Sequence, residues 1–290
     1  MNTSFTDKIL CVGLRTSCLG TTAQDREATA KVAHDYDAED GNYSVNKKIL
    51  RDAIKPARQR RSAVRKWFKS MTLPGISEDL RITTPDQLLK IQEEIARVRD
   101  EDAEWLAGTF IPDYAANIDR DRPRLGAGFD PSLYPPVEDL AGHFDILLTV
   151  TDMPQGDYAR VQGLTTATQA KMKEEHQKML VSVGNQARNE VFRRLTELIA
   201  HIATKMDDPD AVKFHDSTFT KLDEYLAIVP DLNITGDPVL EQLRKDAKET
   251  LSYKMKEVRN CEFLKAQAAT AAKDILKKFG NLGSGRKLVA

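Results

Sequence analysis

Ten lysines and arginines fall between Lys47 and Lys69, in "KKILRDAIKPARQRRSAVRKWFK", against a single acid, Asp52. Cationic side chains at this density can neutralise successive phosphates of a nucleic-acid backbone, giving an affinity that ignores base sequence and falls with salt. On a wheel of about 100° per residue, Lys47, Lys48, Arg51, Lys55, Arg58, Arg65, Lys66 and Lys69 share one arc, a face about 30 Å long. These eight are the candidate nucleic-acid-binding residues. Arg60 and Arg61 lie nearer an apolar stripe of Leu50, Ile54, Ala57, Val64, Phe68 and Met71, which Ala53 and Trp67 widen. Trp67 and Phe68 carry rings that could stack on bases, but their wheel positions assign them to the core. The rival reading is internal charge pairing. A formal net charge of -1 leaves about -10 on the chain outside this segment, and "HDYDAED" and "EEIARVRDEDAE" carry acids that could cover the basic face within the chain or across an oligomer.

Other chemistry has less support in the residues. Neither GxxxxGK[ST] nor GxGxxG occurs, and "GAGFD" around Gly126 stands in a proline-rich stretch with no strand before it. The acids Asp35, Asp37, Glu39 and Asp40 resemble the opening of a calcium loop, but the glycine falls one position late, at Gly41, and the closing glutamate is missing, which leaves a solvated turn. The five histidines show no metal-ligand spacing; His201, beside the seam of a long helical pattern, reads as a packed core histidine. Glu174/Glu175 and Glu93/Glu94 sit on charged helix faces. No catalytic residue, metal ligand or cofactor is therefore named, and the expectation is a protein that is not an enzyme.

The elements that must carry the basic face are mostly helical. Hydrophobic residues make up 41% and charged residues 30%, with aromatics at 7%, a balance that favours charged helices around aliphatic seams. The basic segment predicts an amphipathic helix over 45–71, kinked or split at Pro56. Thr84 as cap and Pro85 as first residue open a second helix over 85–110. Residues 119–136, with four prolines, predict a loop, and "DILLTVTDMP" predicts a short strand near 145–153. Residues 8–20 suit a short strand or an extended arm.

From Thr166 to about Met206 apolar residues recur every three or four positions, predicting a helix of about 40 residues and roughly 60 Å. Asp237 and Pro238 open another, whose seam continues through Leu240, Leu243, Ala247, Leu251 and later Ala268, Ala272 and Phe279 to Gly280. The fold class expected is mainly α: a long antiparallel helical hairpin, coiled-coil-like, over 161–280, a mixed N-terminal region over 1–160 with a small β element, and a flexible tail over 281–290. No internal repeat is found. Three cysteines, an odd number without CxxC spacing, suggest a reducing compartment. "MNTSFTDKILCVGL" lacks the features of a signal peptide and no long apolar run follows, so a cytoplasmic protein without a membrane partner is expected.

"GNYSVNKKIL", "FKSMTLPG", "DPSLYPPVEDLAGHFDILLTVTDMPQGDY" and the stretch from "EVFRRLTELIAHIATKM" to "NITGDPVLEQLR" resemble, in that order, a family of phage and prophage proteins known as a domain of unknown function. The likeness covers about residues 10–280 and consists of structural punctuation; the chain departs from it around "GISEDLRITTPDQ", where relatives carry a more apolar or aromatic motif. What the resemblance implies is a mobile-element protein, with related proteins found near MoxR-type AAA+ ATPases and recombination genes. Two functions follow as expectations: nucleic-acid association through the basic helix, with single- or double-stranded DNA as partner, or a helical scaffold that forms a homo-oligomer or serves an AAA+ ATPase without binding DNA.

Overall fold

The computed structural model describes residues 5–39, 41–158, 161–207, 217–251 and 261–279. It is mainly α-helical with a small antiparallel sheet. The chain divides into two compact units that interleave along the sequence instead of separating near residue 160: a helical unit (1–13, 69–90 and 149–290) and a unit called basic for the segment it carries (14–68 and 91–148), although its 17 lysines and arginines stand against 20 acids. Strands β1 (Leu10–Thr16) and β5 (Ile146–Asp152) and helices α2 (Lys55–Met71) and α3 (Pro85–Trp105) each have residues in both.

In the basic unit β2 (Thr22–Gln24) pairs antiparallel with β3 (Asn46–Lys48), Thr22 opposite Lys48, and between them lies α1 (Arg26–Asp35), capped by Asp25 accepting from the Ala28 amide at 3.0 Å. Leu19, Ile49, Leu50, Ile54, Ala57, Leu106, Phe110, Tyr114, Tyr134 and Leu140 form its core. Trp105 stacks on Phe110 at 5.0 Å between centroids, and Phe144 meets both edge-on.

The expected helix over 45–71 is corrected here: α2 begins at Lys55, and residues 46–54 form a strand and a turn. Leu50 has φ +48, a left-handed conformation that no helix interior allows a leucine. Its amide donates to the buried carboxylate of Asp121 at 2.6 Å, and the Tyr134 hydroxyl donates to the same oxygen at 3.1 Å. Pro56 therefore stands in the first turn, where its missing N–H removes nothing, and neither kinks nor splits the helix. The expected loop over 119–136 is also corrected. Tyr114–Leu125 form a helix, α4, that contains Pro123 and stops at Gly126, whose φ is +54. The tertiary bonds of Asp121 outweigh the proline there.

In the helical unit β1 pairs antiparallel with β4 (Arg81–Thr83), Cys11 opposite Ile82, and the strand order is β4-β1-β5. Gly75 in "LPG" lies so close to the Leu80 carbonyl that a Cβ would stand 2.0 Å from it. Among the described residues the remainder is four helices: α5 (Thr166–Asp207), α6 (Ser217–Leu232), α7 (Pro238–Leu251) and α8 (Glu262–Phe279). As expected, α5 is a single helix of 42 residues. Its seam, Leu195, Ile199, Ile202 and Met206, is buried, and this register leaves Leu198 half-buried and His201 exposed, which corrects the packed histidine read from the sequence.

The expected second long helix is corrected in the same way. Its two described segments, α7 and α8, pack against one another as well as against α5, and Lys278 Nζ bonds Asp246 at 2.5 Å, a return contact that one straight helix could not make. Residues 252–260 and the tail lie outside the described residues. Asp237 caps α7, accepting from the Val239 amide at 2.8 Å, and is itself paired with the buried Arg188 at 3.3 Å.

Candidate nucleic-acid interface

The eight candidate cations reach the surface of three consecutive pieces of chain. Lys47 and Lys48 stand on β3, Arg51 in the turn after it, and Lys55, Arg58, Arg65, Lys66 and Lys69 on α2. All are exposed except Lys47, which is half-buried and donates through Nζ to the Gly128 carbonyl at 2.8 Å. Lys69, in the last turn of α2, belongs to the helical unit. The other seven lie in the basic unit.

The helix gathers its cations because its apolar positions are spent on the core. Ile54, Ala57, Val64 and Phe68 are buried along one side, so lysine and arginine keep the other in water while their stems lie over apolar surface. Phe68 is buried and Trp67 half-buried, as the wheel expects of core residues.

Among the described residues, no carboxylate stands within ion-pair distance of any of the eight. Of the acidic stretch 34–40, residue 40 lies outside the described residues, and the pair formed within the rest is His34 with Asp35. In the stretch 93–104, Glu94 and Glu101 hold Arg97, and Asp102 takes Arg60 at 2.7 Å and Arg61 at 2.6 Å. Asp52 reaches Arg124 at 3.7 Å. Charge pairing thus captures the two arginines nearest the apolar stripe and leaves the arc beside them without an ion-pair partner among the described residues. Asp102 and Arg61 are both buried, a sharp site for an acid that the sequence places in the register Val98, Asp102, Trp105. An acid inside an apolar seam was the signal that a buried cation faces it.

Two hollows adjoin along this face and share Arg58. One, of about 370 Å³, is lined by the loop Thr16–Thr22 with Arg58, Arg61 and Arg65. The other, of about 320 Å³, is lined by Arg51, Asp52, Lys55, Arg58, Gln59 and Ser62. Arg58 Nη1 donates to the Thr21 hydroxyl oxygen at 2.7 Å, which fixes one guanidinium at the boundary. Sequence reasoning singled out neither the loop nor Arg61: "TSCLGTT" has no periodicity, and what brings it beside α2 is the pairing of β2 with β3. Burial pushes the Cys18 thiol in this loop above its usual range, outweighing the pull of Arg61 and Arg58, so the sulfur stays protonated near neutral pH.

Among the described residues no group of three or more histidines, cysteines or acids is placed to hold a metal ion, and no helix is long and apolar enough to cross a membrane. No protein-family model matches the chain, and comparison with curated proteins and with solved structures returns no match either.

Proposed function

We propose that this chain is a non-enzymatic, nucleic-acid-associated protein of phage or prophage origin, acting in the host cytoplasm in replication, recombination or genome handling. The observation that carries this reading is the open basic face of the basic unit: six exposed cations and half-buried Lys47, none with a carboxylate partner among the described residues. The mechanism is electrostatic. Lysines and arginines from β3, the turn and α2 replace the counterions condensed on a phosphate backbone and read no base sequence.

Binding to plain duplex or single-stranded DNA should therefore weaken linearly in log–log terms with salt, with a slope of about -0.9 per phosphate contact on duplex. Reversal of Lys55, Arg58, Arg65 and Lys69 to glutamate should abolish it while far-UV circular dichroism stays unchanged. Undiminished binding by a folded reversal variant would contradict the site.

A second reading, a helical scaffold that forms a homo-oligomer or serves an AAA+ ATPase, draws on the helical unit. Phe263 is 69% exposed on α8, beside a hollow of about 550 Å³ bordered by α7 and α8. A coiled-coil-like association would use such a seam. Its mark is a protein that ignores DNA at physiological salt and self-associates in light scattering, with Phe263→Ser returning it to the monomer.

A further inference from the structure

The hollow beside the loop Thr16–Thr22 differs from the open face next to it. Arg58, Arg61 and Arg65 recur at three and four positions on α2, so three guanidiniums border one concavity. Its lining contains no carboxylate. Asp102, behind Arg61, is already shared between Arg60 and Arg61. Arg61 is 2% exposed. It donates through Nε to the Ser17 carbonyl and through Nη1 to Asp102, and its Nη2 is buried with no acceptor among the described residues. A buried charged donor left without an acceptor carries an uncompensated desolvation cost, which an anionic oxygen reaching it would recover. Thr21, whose hydroxyl accepts from Arg58, keeps its own proton to give.

We propose that this hollow is a seat for a single phosphate monoester group, held by Arg58, Arg61 and Arg65 with the Thr21 hydroxyl. A monoester carries about -1.5 to -2 charges and three terminal oxygens, which suits a hollow lined by three arginines; a backbone diester carries one charge and suits the spread cations outside. The seat goes beyond the backbone reading and does not depend on it. The phosphate can come from the end of a nucleic-acid strand or from a small phosphorylated metabolite.

Cys18 supplies the reporter. In the full chain carrying Cys261→Ser, Cys18 is the accessible thiol, since Cys11 is buried. Inorganic phosphate, added at constant ionic strength against chloride, should slow alkylation of Cys18 by iodoacetamide. Arg65→Met and Thr21→Val, each checked for fold by circular dichroism, should raise the phosphate concentration needed by about tenfold, as loss of one charge-assisted bond implies. Equal alkylation in phosphate and chloride overturns the proposal, and so does protection that both variants leave unchanged.

A dodecamer with a 5′-phosphate, compared with its 5′-hydroxyl twin, then separates the sources. Added protection by the first assigns a strand end; protection by inorganic phosphate alone assigns a small molecule. Phosphate protection in a protein that does not bind plain DNA leaves the seat standing and removes the backbone reading. Plain DNA binding without any phosphate protection does the reverse.

Discussion

Arg193 and Arg65 are both exposed arginines on amphipathic helices, and they are treated oppositely. Arg193 on α5 lies between Glu190 at 2.8 Å and Glu197 at 2.6 Å, three and four positions away. Arg65 on α2 has no such neighbour, because the 17 residues of α2 contain no acid at all. The same contrast runs through both units. In the helical unit Arg188, Arg194, Arg244 and Lys278 pair with Asp237, Glu190, Glu241 and Asp246. On α2 the inner arginines, Arg60 and Arg61, meet a carboxylate, Asp102, while the outer arc meets none among the described residues. Exposed pairs of the first kind contribute only about 0–1 kcal/mol each, so what they accomplish is chiefly to cancel charge locally. A helix that omits them keeps a field that extends into solvent.

Breaking the buried pair of the basic unit should have the largest effect on stability. Asp102→Ala strands Arg60 and Arg61 beside an apolar core and should cost about 3–5 kcal/mol. Both tryptophans, Trp67 and Trp105, belong to this unit, so their fluorescence during urea unfolding reports it directly. The midpoint by fluorescence should fall further than the midpoint by circular dichroism, which is dominated by α5–α8. Leu243→Ala, at a fully buried position of the helical core, should do the converse, at about 2–5 kcal/mol. Coincident shifts in both variants would erase the distinction between the units.

Acid sharpens the contrast. Burial alone would raise the Glu190 carboxyl, but hydrogen bonds from Arg193 and Arg194 outweigh it and hold the group at about 2, below its ordinary 4.5. A depressed carboxyl stabilises the fold fully above its unfolded value and loses that contribution as pH falls from about 4.5 towards 2. Glu190→Gln should therefore be less stable than the parent at pH 6, with the gap closing across that window. A gap that stays constant would contradict the pairing. The smallest effect belongs to Arg193→Ala, about 0–1 kcal/mol in thermal unfolding and less in high salt.

Where structure follows from spacing within one element, the sequence was sufficient. The buried stripe Ile54, Ala57, Val64 and Phe68, the cap at Asp237 and the 42-residue span of α5 all express a 3.6-residue period or a local hydrogen bond. What escaped it depends on partners far along the chain. Leu50 and Ile54 fit a helical wheel as well as they fit a turn, and the group that decides for the turn is Asp121, 71 residues away. The same carboxylate keeps α4 helical through Pro123. The return of α8 onto α7 is a tertiary packing event that an unbroken apolar seam does not disclose. Of the site, the exposed cations were legible because α2 has nowhere else to put them. The loop Thr16–Thr22 was not, since a hollow belongs to two elements at once.

On the proposed function, position and not total charge sets affinity for DNA. Two variants that remove equal charge test it: Lys55, Arg65 and Lys66 to glutamine in the basic unit, and Lys171, Lys178 and Arg193 to glutamine on α5. Affinity for one duplex, measured across a salt series, gives a log–log slope for each. The basic-unit variant should lose about 0.9 from that slope for every phosphate contact removed, while the α5 variant keeps the parent's slope. Equal slopes in the two variants, or a basic-unit variant that binds as the parent does, would contradict the claim.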